Sequence, residues 1–297
     1  MASLKDISRR IRSVNNTQKT TKAMKLVSTV KLKRAEEVAT RSRPYAQKPN
    51  SVISDIACRI YYGRKDGVDS SRFFMPLEPR EVRKADLIFV TADKGLCGGF
   101  NSQTLKAVSE KLNNYSSNNT EVRLRGIGKK GIAFFKFNKI ELHDVAVGLS
   151  ASPDYEKAKK FVAKSVSDFL DGYIDEVVLI YNGYKNMISQ ELREIRLLPV
   201  DFSSRSECDL SSQIEFEPAN DYAILEAMLQ RYIDYNLYFA LVDSLAGEHS
   251  ARMQAMENAT NNANDLVASL SLSYNKARQE AITTELTEIV SGAELMK

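Results

Sequence analysis

From Ile7 the chain repeats at alternating spacings of four and three: Ile7, Ile11, Val14, Gln18, Thr21, Lys25, Ser28, Leu32, Ala35 and Ala39. That rhythm predicts a long helix with a heptad seam whose middle has turned polar. Met24, Val27 and Val30 form a second stripe beside it. Ser3 and Asp6 read as a capping box at its start. After Pro218 the rhythm returns through Leu225, Met228, Tyr232, Tyr235, Phe239, Val242, Ala246, His249, Met253, Met256, Thr260, Ala263, Val267, Leu270, Tyr274 and Ala277. Gly247 alone interrupts it, at a cost of about 1 kcal/mol. The second helix, about 110 Å long, should outrun the first, of roughly 45 to 55 residues, by roughly 20–30 residues.

Between these helices the period changes. "ADLIFVTAD" (85–93), "VRLRGIG" (122–128), "DEVVLIYNGY" (175–184) and "LREIRLLPV" (192–200) read as strands. Positions 102–112, 129–137 and 155–173 read as helices. Strands alternating with helices predict a parallel, doubly wound sheet. The fold class expected is therefore α/β, a Rossmann-like domain inserted between terminal helices that pair as a long antiparallel coiled coil. The divisions expected are 1–58, 80–215 and 219–297. All seven prolines lie between Pro44 and Pro218, so each end can be rigid helix.

Charge supports that pairing. Residues 1–50 hold 13 Lys/Arg against 3 Asp/Glu, whereas residues 221–297 hold 5 against 11. Opposite ends of opposite charge suggest that they meet, or that each faces a charged partner. No apolar run approaches the length of a membrane span, so direct membrane insertion is not expected. The amino terminus lacks the apolar core of a secretory signal, and its helical pattern runs past position 40, so it is read as mature protein. Cys58, Cys97 and Cys208 lie far apart with only two histidines to join them, which argues against a disulfide framework or a metal site.

The motifs carry little catalytic chemistry. Gly126-Ile-Gly128-Lys-Lys-Gly131 matches a dinucleotide fingerprint, with Asp144 downstream, but it does not fall on the first strand-to-helix turn. "DKGLCGGFN" (93–101) lacks the lysine and hydroxyl of a phosphate loop. Its glycines suit a tight turn, and Asp93 and Lys94 at the strand end could dock a partner. Cys97 has no histidine near it in sequence to activate it, and His249 falls on the helical seam as a packed residue. No cofactor and no catalytic or metal-binding residue is expected. The lysines of the first helix lack interleaved aromatics, so nucleic acid is not the expected partner.

"NTQKTTKAMKLVSTVKLKRAEE", "TADKGLCGGFN", "EHSARMQAMENATNNANDL" and "YNKARQEAITTELTEIVSGA" together resemble the gamma subunit of F-type ATP synthase, in order and over essentially the whole chain. The resemblance implies a non-catalytic central-stalk rotor, one copy per complex. Its partners would be three alpha and three beta subunits, the epsilon subunit and the membrane c-ring. By the same resemblance Met24, Lys25, Arg252, Arg278, Gln279, Thr283 and Glu285 would touch the alpha/beta hexamer, while Asp93 and Lys94, from their place at the strand end, would serve partner contacts of the foot domain. The closing stretch from Tyr274 would be the overhang, covered by the hexamer. The chain lacks the cysteine-pair insertion of chloroplast forms, so thiol regulation is not expected. The cytoplasmic face of a bacterial inner membrane is the implied location, with the mitochondrial matrix face as the alternative. Two rivals remain at this level: an enzyme using "GIGKKG" and a coiled-coil nucleic-acid adaptor.

Overall fold

The computed structural model describes the backbone of residues 4–62, 81–200 and 221–295, and side chains for 4–42, 81–200 and 227–291. Cys58, Cys208 and the seam position Leu225 lie outside the described side chains. Helix α1 spans Leu4–Tyr62 and is followed by β1 (Lys84–Val90), α2 (Phe100–Ser117), β2 (Glu121–Ile127), α3 (Lys129–Phe137), β3 (Asp144–Ala146), α4 (Tyr155–Leu170), β4 (Glu176–Tyr184), β5 (Gln190–Leu198) and α5 (Asp221–Leu295). Two compact units result, residues 30–251 and residues 1–29 with 252–297, so the division crosses both long helices.

In the larger unit the sheet order is β3-β2-β1-β4-β5, with β5 antiparallel and the other pairings parallel. The six residues from Ala85 to Val90 are all buried, as expected of a central strand covered on both faces. Alternation along it divides the core. Leu87 and Phe89 meet Val108, Phe135, Val178 and Ile180 on one face. Ile88 and Val90 meet Phe161, Val162, Leu237 and Leu241 on the other. The first half of α5 is therefore itself a layer of the domain.

The same second face holds a buried polar network. Arg125, 1% exposed, binds Asp144 at 2.7 Å through Nη2 and donates to the Phe161 carbonyl, while its guanidinium stacks on the Phe161 ring and meets Ser165 Oγ. Ser165 Oγ donates to Asp86 at 2.6 Å, and Arg123 binds both Asp86 and Asp168. The hydrogen bonds that Arg123 donates to Asp86 and Asp168, with the charges of the two carboxylates, outweigh burial and raise the Arg123 pKa. β3 was not legible as a strand: it is three residues long, and Asp144 within it is held by Arg125.

In the smaller unit α1 and α5 run antiparallel. Thr21 and Thr260 share a hydrogen bond of 2.7 Å, Gln18 donates to Asn264, and Lys25 Nζ lies 2.7 Å from Glu257 Oε1. Seam residues Thr21 and Ser28 are buried here at their heptad positions, as Leu32, Ala35 and Ala39 are in the larger unit. The polar middle of the seam is thus bonded across the helix pair. Extending this register to Leu4 brings the start of α1 level with about position 278, leaving roughly 17 helical residues of α5, about 25 Å, without a helix beside them. The overhang is shorter than the expected 20–30 residues, and α1 itself runs for 59 residues, beyond the expected length and through Pro44 and Pro49 at its other end.

Candidate functional site

The crevice beyond the carboxyl ends of β1 and β4 is where an open α/β sheet of this order binds a ligand. Beside it, at the carboxyl ends of β1 and β2, the protein's own groups fill the turns. Asp93 accepts from the Lys129 amide at 2.9 Å through Oδ1 and from the Gly148 amide at 3.1 Å through Oδ2. Its carboxylate thereby supplies the negative charge that a helix amino terminus favours. Thr91 Oγ1 accepts from the Gly131 amide at 3.0 Å and lies 3.2 Å from the carbonyls of Ile127 and Gly128.

The three glycines of the fingerprint are consumed by packing. A Cβ on Gly126 would come within 2.7 Å of Phe89, and one on Gly131 within 2.5 Å of the same ring. Gly128 has φ +99°, and a Cβ there would stand 1.9 Å from the Thr91 carbonyl oxygen. Asp144, the acid that a ribose would need, is engaged by Arg125. These glycines and this acid join α3 and β3 to the sheet. Among the described residues no group of three or more His, Cys, Asp or Glu side chains could hold a metal ion.

The glycine-rich turn at 93–101 joins the sheet to α5. Cys97 and Phe100 are buried with Ala92 against Ala251 of α5. Asn101 ties the turn together, accepting from the Ala92 amide at 2.9 Å and donating to Cys97 Sγ at 3.2 Å. Leu96 and Gly98 take positive φ, 61° and 56°. Leu96 is nevertheless 64% exposed, and Lys94 is exposed beside it. The sequence offered Asp93 and Lys94 as a pair; in the fold Asp93 faces inward as an acceptor while Lys94 and Leu96 form the turn's outer surface.

A second surface lies along the smaller unit. Leu26 and Val27 are 62% and 56% exposed, beside half-buried Met24 and the Lys25–Glu257 pair. Val30, the next member of that stripe in the sequence, belongs to the larger unit and is also exposed. On α5, Ile282, Leu286, Ile289 and Val290 are all exposed, as are Arg278, Gln279, Thr283 and Glu285. Thr283 and Thr287 donate to the carbonyls of Gln279 and Thr283, at 2.9 and 2.8 Å. Their hydroxyl protons are thus spent on their own helix, and each threonine offers a methyl group outward. Arg252 differs from these contact candidates in being buried. Sequence reasoning missed Leu26, which lies one position from the Met24, Val27 and Val30 stripe.

Comparison with known proteins identifies the family. The family model described as ATP synthase matches residues 3–296. The chain belongs to the ATP synthase gamma chain family. An ATP synthase gamma chain of Nitratiruptor sp. is 56% identical over all of both chains, and one of Sulfurimonas denitrificans is 56% identical with equally full coverage. Among solved structures, a chain of the Tetrahymena thermophila mitochondrial ATP synthase central stalk and c-ring is 26% identical, with a TM-score of 0.61 over 81% of this chain and 99% of that one. A chain of the Euglena gracilis mitochondrial ATP synthase matches in fold, with a TM-score of 0.67 at 18% identity over 99% of this chain and 94% of that one.

Proposed function

We infer that the chain is the central-stalk rotor subunit of a proton- or sodium-translocating F-type ATP synthase and is not itself catalytic. The observation that carries this reading is the far end of α5, a helix that continues past its partner with Ile282, Leu286, Ile289 and Val290 in the open. A helix end of this kind requires a surrounding partner, since burying such side chains is worth about 1.5–3 kcal/mol each. In this reading three alpha and three beta subunits form the surrounding collar, and one copy of the chain turns within it.

Met24, Lys25, Arg278, Gln279, Thr283 and Glu285 make contacts with that collar that break and re-form as the rotor turns. Arg252, buried, supports the helix pair. At the foot, Lys94 and Leu96 face the epsilon subunit or the c-ring, and Asp93 holds their turn in place. The polar seam bonds the two helices by direction, while the exposed faces carry isolated charges whose pairs are weak and cheaply exchanged. Turning the asymmetric shaft then changes the state of each distant beta site by rigid-body motion. Among the described residues no helix is long and apolar enough to cross a membrane, and the chain works as a peripheral subunit at the cytoplasmic face of a bacterial membrane.

Tagged full-length protein, purified from detergent-solubilised membranes of its source, tests the reading. Alpha, beta and epsilon subunits should co-purify in fixed proportion, and their absence overturns the assignment. Tight stoichiometric binding of ATP or NAD(H) to the free chain would instead favour an enzyme using the glycine fingerprint.

A further inference from the structure

A rotor whose foot is an α/β domain must pass load from that domain into its helices. Apolar contact alone is poorly suited to this, because hydrophobic burial has no direction and does not fix one register. Near Leu237 and Leu241 the face that α5 turns to the sheet is apolar. From Asp243 onward it becomes polar and interlocked. Asp243, 1% exposed, receives Arg193 Nη1 at 2.8 Å. A Cβ on Gly183 would stand 2.3 Å from the same Asp243 carboxylate. Gly247 lets the helix approach the β4 backbone so closely that a Cβ would be 3.1 Å from the Asn182 carbonyl oxygen. Ser250 Oγ donates to the Met187 carbonyl at 2.9 Å and accepts from Gln190 Nε2 at 3.0 Å.

Positions 243, 247 and 250 follow one another at four and three, so they share one face of α5. The groups named opposite them belong to β4, β5 or the turn joining them. Tyr184 of the same hairpin donates to Glu36 of α1 at 3.1 Å, which engages the other helix. The hairpin is thus tied to both long helices by directional bonds, and α5 gives up a side chain at Gly247 to allow it.

We propose that the β4–β5 hairpin, through Arg193–Asp243, the Gly183/Gly247 close approach and Ser250, is the joint that transmits torque between the α/β domain and the rotor helices. The inference rests on the rotor reading and adds to it the residues that prevent slip. Loosening the joint should let the helices turn in the hexamer while the foot lags, so hydrolysis continues while ion pumping falls.

The test uses the assembled complex in inverted membrane vesicles, comparing ATP-driven pumping with ATP hydrolysis in the same preparation. The double variant Arg193→Gln/Asp243→Asn removes the ion pair without stranding a buried charge. Gly247→Val wedges the close approach. Each should keep its subunits and its hydrolysis, while pumping per ATP falls by about half or more. Phe135→Leu, a cavity on the opposite face of the sheet, serves as the control and should lower stability without changing the ratio. An unchanged ratio in assembled hairpin variants overturns the proposal, as does an equal fall in Phe135→Leu. If a hairpin variant does not assemble, the ratio is read on Gln190→Ala/Ser250→Ala, with the same two outcomes. Failure of the unaltered chain to co-purify with alpha and beta would instead defeat the rotor reading itself.

Discussion

The larger unit and the tip of the helix pair are built from the same amino acids under opposite rules. In the α/β domain both faces of the sheet are sealed, Phe89, Phe135 and Tyr181 are buried, and the charged groups among them are bonded in networks. Burial, and then the charge of Asp243, pushes the Tyr181 hydroxyl up to about 12, so it stays neutral in the core. At the tip the middle of the seam is bonded through Gln18, Thr21, Thr260 and Asn264, Met256 and Ala263 are buried, and Leu26, Val27, Ile282, Leu286, Ile289 and Val290 stand exposed. A domain that must keep one shape uses dry packing, whereas a surface that must keep exchanging partners leaves its apolar groups uncovered until a partner arrives.

The largest expected contrast comes from truncating one side chain in each region. Phe135→Ala should cost about 3–5 kcal/mol in denaturant unfolding of the full chain, because a cavity opens beneath a sealed sheet. Ile289→Ala should change the same measurement by no more than about 0.5 kcal/mol while weakening association with the hexamer. Equal losses of stability would erase the distinction between core and partner-facing surface. Next in size, Gly128→Ala should cost about 2–4 kcal/mol by combining an unfavourable φ with collision against Thr91. A near-neutral result would mean that the fingerprint glycines do not serve packing.

Smaller effects belong to the polar groups. Lys25→Ala should change stability by about 0–1 kcal/mol, and moderate salt should remove the difference, since the Lys25–Glu257 pair is half exposed. The smallest is Asp234→Asn. Burial raises the Asp234 pKa above its ordinary 3.8, against a lowering hydrogen bond from Gln230. The folded chain therefore holds this proton more tightly than the unfolded one does. The stabilisation is complete below the unfolded pKa and is lost as pH rises through the folded pKa. Asp234→Asn should accordingly raise the melting temperature slightly at neutral pH, with the gain disappearing in acid. A gain that grew in acid would reverse the assigned shift.

Much of this contrast was readable before any coordinates. The alternating spacing located the seam from Thr21 to Ala39, including its polar middle, because heptad periodicity survives when threonine or serine replaces leucine. The apolar runs located β1, β2, β4 and β5 for the same reason of buried pattern. What could not be read depended on contacts distant in sequence. β3 is too short to show a period, and the role of Asp93 depends on amides at Lys129 and Gly148. Gly247 looked like an interruption of a helix, and only its approach to Asn182 shows what it permits. The expected contact Arg252 illustrates the converse: a motif marked it, and the fold buries it.

As the proposed rotor, this chain turns inside a ring of partners. The most direct measurement fixes the purified complex through its hexamer, attaches a probe to the exposed turn at Lys94, and follows the probe on adding ATP. Sustained rotation in one direction, stopping when ATP is exhausted, is the predicted result. A probe that only fluctuates about a fixed angle while the complex hydrolyses ATP would contradict it.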